Sequence, residues 1–123
     1  SSTNLVMNAA DLLQATDRAS LLSHEGKNNV VKLSISDEKV ELSGNSPEIG
    51  TVREDLQYQE ANGDPLVISF NPDYLKDALR TFGHQDVMVR FTAPIRPFTV
   101  VPVDNHTDIE QAFIQLITPV RTY

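Results

Sequence analysis

The segment LVISFNPDYLKDALRTFG, residues 66–83, decides the fold of this chain, because it holds a strand, a helix start and a helix stop in succession. Leu66 to Phe70 is an apolar run of strand length. Asn71 followed by proline is typical of an N-cap and a first helical residue. The apolar spacing continues to Phe82, and Gly83 stands where a helix commonly ends. The segment therefore predicts a strand leading directly into an amphipathic helix.

The helix of this segment has two different faces. Its predicted apolar face consists of Tyr74, Leu75, Ala78, Leu79 and Phe82. Its predicted outer face carries spaced opposite charges at Asp73, Lys76, Asp77 and Arg80.

The same order occurs about 63 residues upstream, where Asn8 aligns with Asn71. Leu5 to Met7 is a short predicted strand, and Asn8 is the predicted N-cap of a helix that runs to about Leu22. The apolar stripe of this helix is Ala9, Leu12, Leu13, Thr16 and Ala19.

Three strands are predicted after each helix. They are residues 30–35, 39–43 and 51–59 in the first half and 87–92, 98–103 and 112–118 in the second, with a turn predicted at 60–65 between the halves. The chain is therefore interpreted as a duplicated unit of strand, helix and three strands, with halves of about 4–60 and 65–119. The predicted fold class is α+β, a single domain over 1–123 with two helices packed on mostly antiparallel sheets.

Composition limits the function classes. The chain has 123 residues, 40% of them hydrophobic, a formal net charge of -7 and no cysteine. Disulfides, thiol nucleophiles and zinc ribbons are excluded, and the negative charge disfavours broad binding to polyanions. Membrane-spanning runs and signal-peptide features are missing from the sequence, so we expect a soluble, cytoplasmic protein.

Catalytic chemistry has little support in the sequence. The three histidines, His24, His84 and His106, lack metal-ligand spacing, and the loop Asp104 to Glu110 lacks the calcium-loop pattern. Phosphate-binding glycine motifs are also missing, so we expect neither a metal nor a cofactor. One alternative remains open, a small hydrolase that uses His106 with Asp104 or Asp108.

The C-terminal segment FIQLITPVRTY, residues 113–123, is apolar where chain ends are usually polar and mobile. Such a segment is expected to dock in a sheet or to form the wall of a site. Tyr74 on the first helical turn and Ile95, between two prolines, are further candidates for a binding surface.

Three motifs together resemble a known family. They are Asn71-Pro-Asp-Tyr-Leu-Lys-Asp-Ala-Leu79, Asn45-Ser-Pro-Glu48 and Leu116-Ile-Thr-Pro-Val-Arg-Thr-Tyr123. In order and spacing they are similar to the C-terminal domain of the bacterial sliding clamp, the beta subunit of DNA polymerase III, in its Gram-positive form. The resemblance covers essentially the whole chain. It implies a DNA processivity factor without catalytic residues, in which three domains of one duplicated fold form each subunit.

The resemblance also implies a groove for short peptides of the form Gln-x-x-Leu-Phe, carried by polymerases, the clamp loader and repair proteins. We call these residues the peptide groove: Asn71, Tyr74, Ile95, Pro97, Leu116, Thr118, Pro119, Val120 and Arg121. Thr118 departs from the family, where a larger apolar residue is common.

Two further surfaces follow from the resemblance. Two subunits of the family close head to tail into a ring around duplex DNA, and here the subunit interface would be Leu21, Leu22, Glu48 and Glu54. The cations that face phosphates inside the ring would be Arg18, Lys76 and Arg80. An isolated domain is expected to be monomeric. A protein-interaction module unrelated to DNA is the second alternative.

Overall fold

The computed structural model describes residues 2–24, 29–46, 48–103, 115–117 and 119, and it contains two helices and nine strands. The helices are α1 (Ala9–His24) and α2 (Pro72–Arg80). The strands are β1 (Thr3–Asn8), β2 (Val31–Ile35), β3 (Val40–Ser46), β4 (Gly50–Asp55), β5 (Glu60–Gly63), β6 (Leu66–Phe70), β7 (Asp86–Phe91), β8 (Phe98–Pro102) and β9 (Gln115–Ile117).

The strands form two sheets, and in each sheet the two halves of the chain exchange one strand. Sheet A has the order β5-β1-β7-β8-β9, and sheet B has the order β4-β3-β2-β6. Strand β1 of the first half pairs with β7 of the second, and β6 of the second pairs with β2 of the first. All ladders among the described strands are antiparallel. The predicted α+β class and the order of strand, helix and three strands in each half are confirmed.

The core lies between the sheets and the helix pair. Buried side chains come from both helices and both sheets, and in sheet B they alternate along β2, where Val31, Leu33 and Ile35 point inward. Phe98 lies edge-on to Phe70 with ring centroids 5.3 Å apart, and it also contacts Phe91 at 4.8 Å. Because Phe70 belongs to sheet B and the other two rings to sheet A, the aromatic cluster ties the sheets together.

Both predicted N-caps are present. The side chain of Asn8 accepts a hydrogen bond from the backbone N–H of Asp11 at 3.1 Å, and Asn71 accepts one from Asp73 at 2.9 Å. Each cap satisfies an orphan donor of the first turn and fixes where the helix leaves its strand. Asn8 also donates to the backbone carbonyl of His84 at 2.8 Å, which ties the start of α1 to the turn after α2.

Helix α1 approaches sheet B unusually closely at Gly44. A Cβ atom at this position would lie 1.9 Å from the backbone oxygen of Ala19. Only glycine leaves room for this contact, and Ala15 and Ala19 present the small side chains that let the helix reach the sheet.

The predictions at 60–65 and at three element ends were wrong. Residues 60–63 form β5 and pair with β1 where a turn was predicted, because pairing with a distant strand overrides the local turn composition. Strand β4 ends at Asp55 rather than at residue 59, and the N–H of Gln59 bonds to Val6 of β1. Helix α2 ends at Arg80 rather than Phe82, while α1 continues to His24.

Among the described residues, neither helix combines the length and the apolar character that crossing a lipid bilayer demands.

Candidate functional site

The start of α2 presents the first part of the peptide groove. Tyr74 is 61% exposed although it was predicted on the apolar face of this helix. That prediction was wrong, because Leu75, Ala78 and Leu79 fill the core contact and leave Tyr74 at its flank. The Asn71 cap holds the backbone of this turn, so the aromatic ring is presented on a fixed support.

The C-terminal strand lies against the same end of the molecule. Strand β9 pairs with β8, with Ile117 opposite Phe98, and helix α2 contacts β9. Beyond β9, Pro119 forms an isolated bridge with Phe70, the residue directly before Asn71. The structure therefore brings the backbone of the C-terminal segment next to the strand end from which α2 starts.

The turn between β7 and β8 carries the third part of the predicted groove. It is closed by a hydrogen bond from the N–H of Arg96 to the carbonyl of Ala93, and it exposes Ile95 by 66%. Pro97, also exposed, immediately precedes Phe98, which pairs with Ile117. Exposed apolar side chains on a capped helix start and a hydrogen-bonded turn, beside a strand end, have the chemistry to hold apolar anchors of an extended peptide.

Three of the predicted groove residues, Thr118, Val120 and Arg121, lie outside the described residues, and Leu116 is described in its backbone alone. The hydrolase alternative depended on His106, Asp104 and Asp108, which also lie outside them. Among the described residues, no cluster of three or more acidic or histidine side chains has a geometry that could hold a metal ion.

The three cations predicted to face DNA are all paired with carboxylates. Arg18 Nε lies 2.7 Å from Glu54 Oε1 of β4, and Arg80 Nη1 lies 2.7 Å from Asp77 Oδ1 of its own helix. Lys76 Nζ lies 3.3 Å from Asp17 Oδ1 of α1. The two helices together carry three cations and four carboxylates, so their net charge is -1 with His24 neutral. The helix pair therefore presents paired charges and no strongly basic surface.

The predicted subunit interface lies where α1 ends beside β3 and β4. Leu21 is 67% exposed, Leu22 is partly buried, and Glu48 is exposed in the turn before β4. Strand β4 lies at the edge of sheet B, so its outer backbone groups face away from the sheet. The sequence analysis missed Ile49, which is 58% exposed in this turn. An isoleucine between a Pro-Glu pair and a glycine is a signal that could have indicated it.

A cavity of about 260 Å³ lies between α1 and the end of β4. Its lining combines apolar residues such as Met7 and Leu56 with polar ones, namely Gln14, Arg18, Glu54 and Gln57. Glu54 uses Oε1 for the pair with Arg18, while its buried Oε2 has no hydrogen-bond partner among the described residues. Glu54 thus connects the surface predicted to bind a second subunit with the face predicted to meet DNA.

Comparison with known proteins gives one family over almost the whole chain. The family described as DNA polymerase III beta subunit, C-terminal domain, matches residues 1–120. A beta sliding clamp of Bacillus subtilis is 46% identical over 124 residues, which cover 100% of this chain and 32% of that protein.

Solved structures agree with this family. The DNA polymerase III beta chain of Streptococcus pneumoniae superposes with a TM-score of 0.89 at 42% identity, over 98% of this chain and 31% of that one. The sliding clamp of Bacillus subtilis gives a TM-score of 0.87 at 46% identity, over 100% of this chain and 31% of that one. The chain therefore spans about one third of the length of the relatives it matches.

Proposed function

Because the chain belongs to the family of the DNA polymerase III beta subunit, C-terminal domain, we propose that it is the third domain of a bacterial sliding clamp. In this role residues 1–123 form a single domain, and the subunit is an accessory processivity factor of cytoplasmic DNA replication without catalytic residues of its own. The observation that carries the proposal is the family match over residues 1–120, together with 46% identity to a beta sliding clamp along the whole chain.

The peptide groove is the proposed docking site for polymerases, the clamp loader and repair proteins. Peptides of the form Gln-x-x-Leu-Phe would place their apolar anchors against Tyr74 and Ile95 and against the C-terminal segment. The exposure of both side chains supports this proposal, as does the bridge from Phe70 to Pro119. Tyrosine is one of the residue types enriched in binding hot spots.

Titration of a Gln-x-x-Leu-Phe peptide into the 123-residue chain, followed by NMR up to millimolar peptide, tests the groove. We expect saturable binding that Tyr74→Ala weakens about thirtyfold, since truncation of a hot-spot side chain costs about 2 kcal/mol. Leu116→Ala is expected to act in the same direction. Ile49→Ala removes an equally exposed apolar side chain outside the groove and is the matched control. Absence of binding, or equal affinities for all variants, would contradict the groove.

The ring is the second part of the proposal. Leu21 and Leu22 would form the apolar centre of a head-to-tail interface, and Glu48 and Glu54 its charged rim. The exposure of Leu21 supports this assignment, and so does the position of β4 at a sheet edge. In this arrangement the partner surface belongs to the first domain of the other subunit, so this chain alone is expected to be monomeric. Sedimentation equilibrium checks this, and a stable, specific dimer of the 123-residue chain would argue against it.

Duplex DNA is the proposed binding partner of the ring, which would encircle it without base-specific contacts. Arg18 and Arg80 are the proposed phosphate contacts of this domain, since more than half of each side chain is exposed. A helix pair of net charge -1 would add only weakly to affinity, which suits a ring that slides. Lys76, the third cation implied by the resemblance, differs from both arginines in its burial.

A further inference from the structure

Lys76 lies in the crevice between the two helices with only 15% of its side chain exposed, compared with 55% for Arg18 and 56% for Arg80. Its ammonium group lies 3.3 Å from Asp17 Oδ1 of α1 and 3.5 Å from Asp73 Oδ1 of α2. It also donates to Ser20 Oγ of α1 at 3.2 Å. The ammonium group therefore donates one hydrogen bond within the protein and lies in ion-pair contact with two carboxylates.

Two of the groups around Lys76, Asp73 and Ser20, are themselves held by further hydrogen bonds. Asn29 donates from Nδ2 to the second carboxylate oxygen of Asp73 at 3.0 Å, and Asp73 contributes its backbone N–H to the Asn71 cap. Ser20, which receives the Lys76 bond, donates in turn to the backbone carbonyl of Asp17 at 3.0 Å. The network thus connects α1, α2 and the segment before β2, which come from both halves of the chain.

We propose that Lys76 is a positioning residue that fixes α2 against α1, and that it does not contact DNA phosphates. This inference rests on the proposed function, because it reassigns one of the three cations that the resemblance places inside the ring, facing DNA. The ammonium group occupies a partly buried site. To reach a phosphate, it would have to give up its contacts with two carboxylates and a hydroxyl. Lys76 then acts on DNA only indirectly, by holding α1, which carries Arg18, against α2, which carries Arg80.

A double-mutant cycle on the 123-residue chain tests the contact between the helices. Lys76→Met keeps the length of the side chain and removes the charge, and we expect it to lower the melting midpoint by about 5 °C for a chain of this size. Asp17→Asn is expected to lower the midpoint by less, and to have little further effect in the Lys76→Met background. Lys76→Arg, which keeps the charge and the donors, should restore most of the loss.

Arg80→Gln is the matched control, because Arg80 pairs with an exposed carboxylate three residues away on the same helix. Its midpoint should change by about 1 °C or less. Additive effects of Lys76→Met and Asp17→Asn on stability would overturn the proposed contact between the helices, since substitutions of two residues in one contact do not have additive effects.

A DNA titration distinguishes a role of Lys76 between the helices from a contact of Lys76 with a DNA phosphate. We would measure the affinity of each variant for a 20-base-pair duplex by NMR at several salt concentrations, starting at low salt, because low ionic strength strengthens phosphate contacts and makes weak binding without encirclement measurable. Lys76→Met should leave the slope of log affinity against log salt unchanged, whereas Arg80→Gln should reduce it by about 0.9, the value for one phosphate contact. A reduction of about 0.9 in Lys76→Met would overturn the inference. An unchanged slope in both Arg80→Gln and Arg18→Gln would instead reject the two arginines as phosphate contacts. The double-mutant cycle would still decide the role of Lys76.

Discussion

Replacing Gly44 by alanine tests how closely α1 must approach sheet B. The added Cβ would lie 1.9 Å from the backbone oxygen of Ala19, whereas ordinary van der Waals contact begins at 3.4 Å. Gly44 does not have a positive φ, so the substitution adds a steric clash and no backbone strain. The obstacle is helix backbone and not the end of a flexible side chain, so α1 has to move by about 1.5 Å.

Such a movement opens a gap under the buried face of α1. Leu12, Ala15, Thr16 and Ala19 are each at most 3% exposed, and they pack against this sheet and the core. A gap of 0.5–1 Å on one side already removes about a quarter to a half of the dispersion energy of the atoms concerned. With the clash itself, we expect a loss of about 3 kcal/mol in the free energy of unfolding, which lowers the melting midpoint by roughly 10–15 °C.

Urea unfolding monitored by circular dichroism measures this loss, with Gly83→Ala as the matched control. Gly83 has a φ of 57° and no atom within 4 Å of an added Cβ, so alanine there adds backbone strain without a clash. Strain of that kind costs about 1–2 kcal/mol. If Gly44→Ala lost no more stability than Gly83→Ala at the same m-value, the close approach of α1 to β3 would be refuted.

Three further outcomes are expected. Asn71→Ala removes the acceptor for the Asp73 N–H and should cost about 1 kcal/mol in urea unfolding, while Asn71→Ser should retain most of the cap. Phe98→Ala deletes the ring that contacts both sheets and should cost about 3–5 kcal/mol, so a loss below 1 kcal/mol would argue against the aromatic cluster. Thr118→Leu adds apolar surface where the resemblance implies an anchor pocket, and calorimetry should show several-fold tighter binding of a Gln-x-x-Leu-Phe peptide, at about 0.8 kcal/mol per buried methylene. Equal affinities of the two proteins would place residue 118 outside the pocket.

Local chemistry made the helix starts predictable. Asn8 and Asn71 cap their helices through contacts to residues two or three positions away, and such contacts are visible in the sequence itself. Strand β5 was missed for the opposite reason. Its four residues have turn composition, and their pairing with β1 joins positions more than fifty residues apart.

The sequence also placed Lys76 and Tyr74 on α2 without indicating their surroundings. Helical periodicity assigned Lys76 to the outer face, but its burial comes from α1, which packs beside it. Tyr74 fell on the apolar side by hydrophobicity, yet the core contact is complete without it. Burial depends on which elements become neighbours, and a single helical pattern does not contain that information.

The exchange of strands between the halves has a consequence for folding. Neither half contains a complete sheet, because β1 is needed beside β7 and β6 beside β2. A nascent chain that has emerged only as far as β5 contains the meander of β2, β3 and β4. The edge of β2 stays unpaired until β6 has been synthesised. Completing either sheet therefore requires contacts between residues far apart in the chain, and we expect such contacts to slow folding relative to a helical domain of this length. A half chain alone would leave the edge of β2 exposed as a template for pairing with another chain.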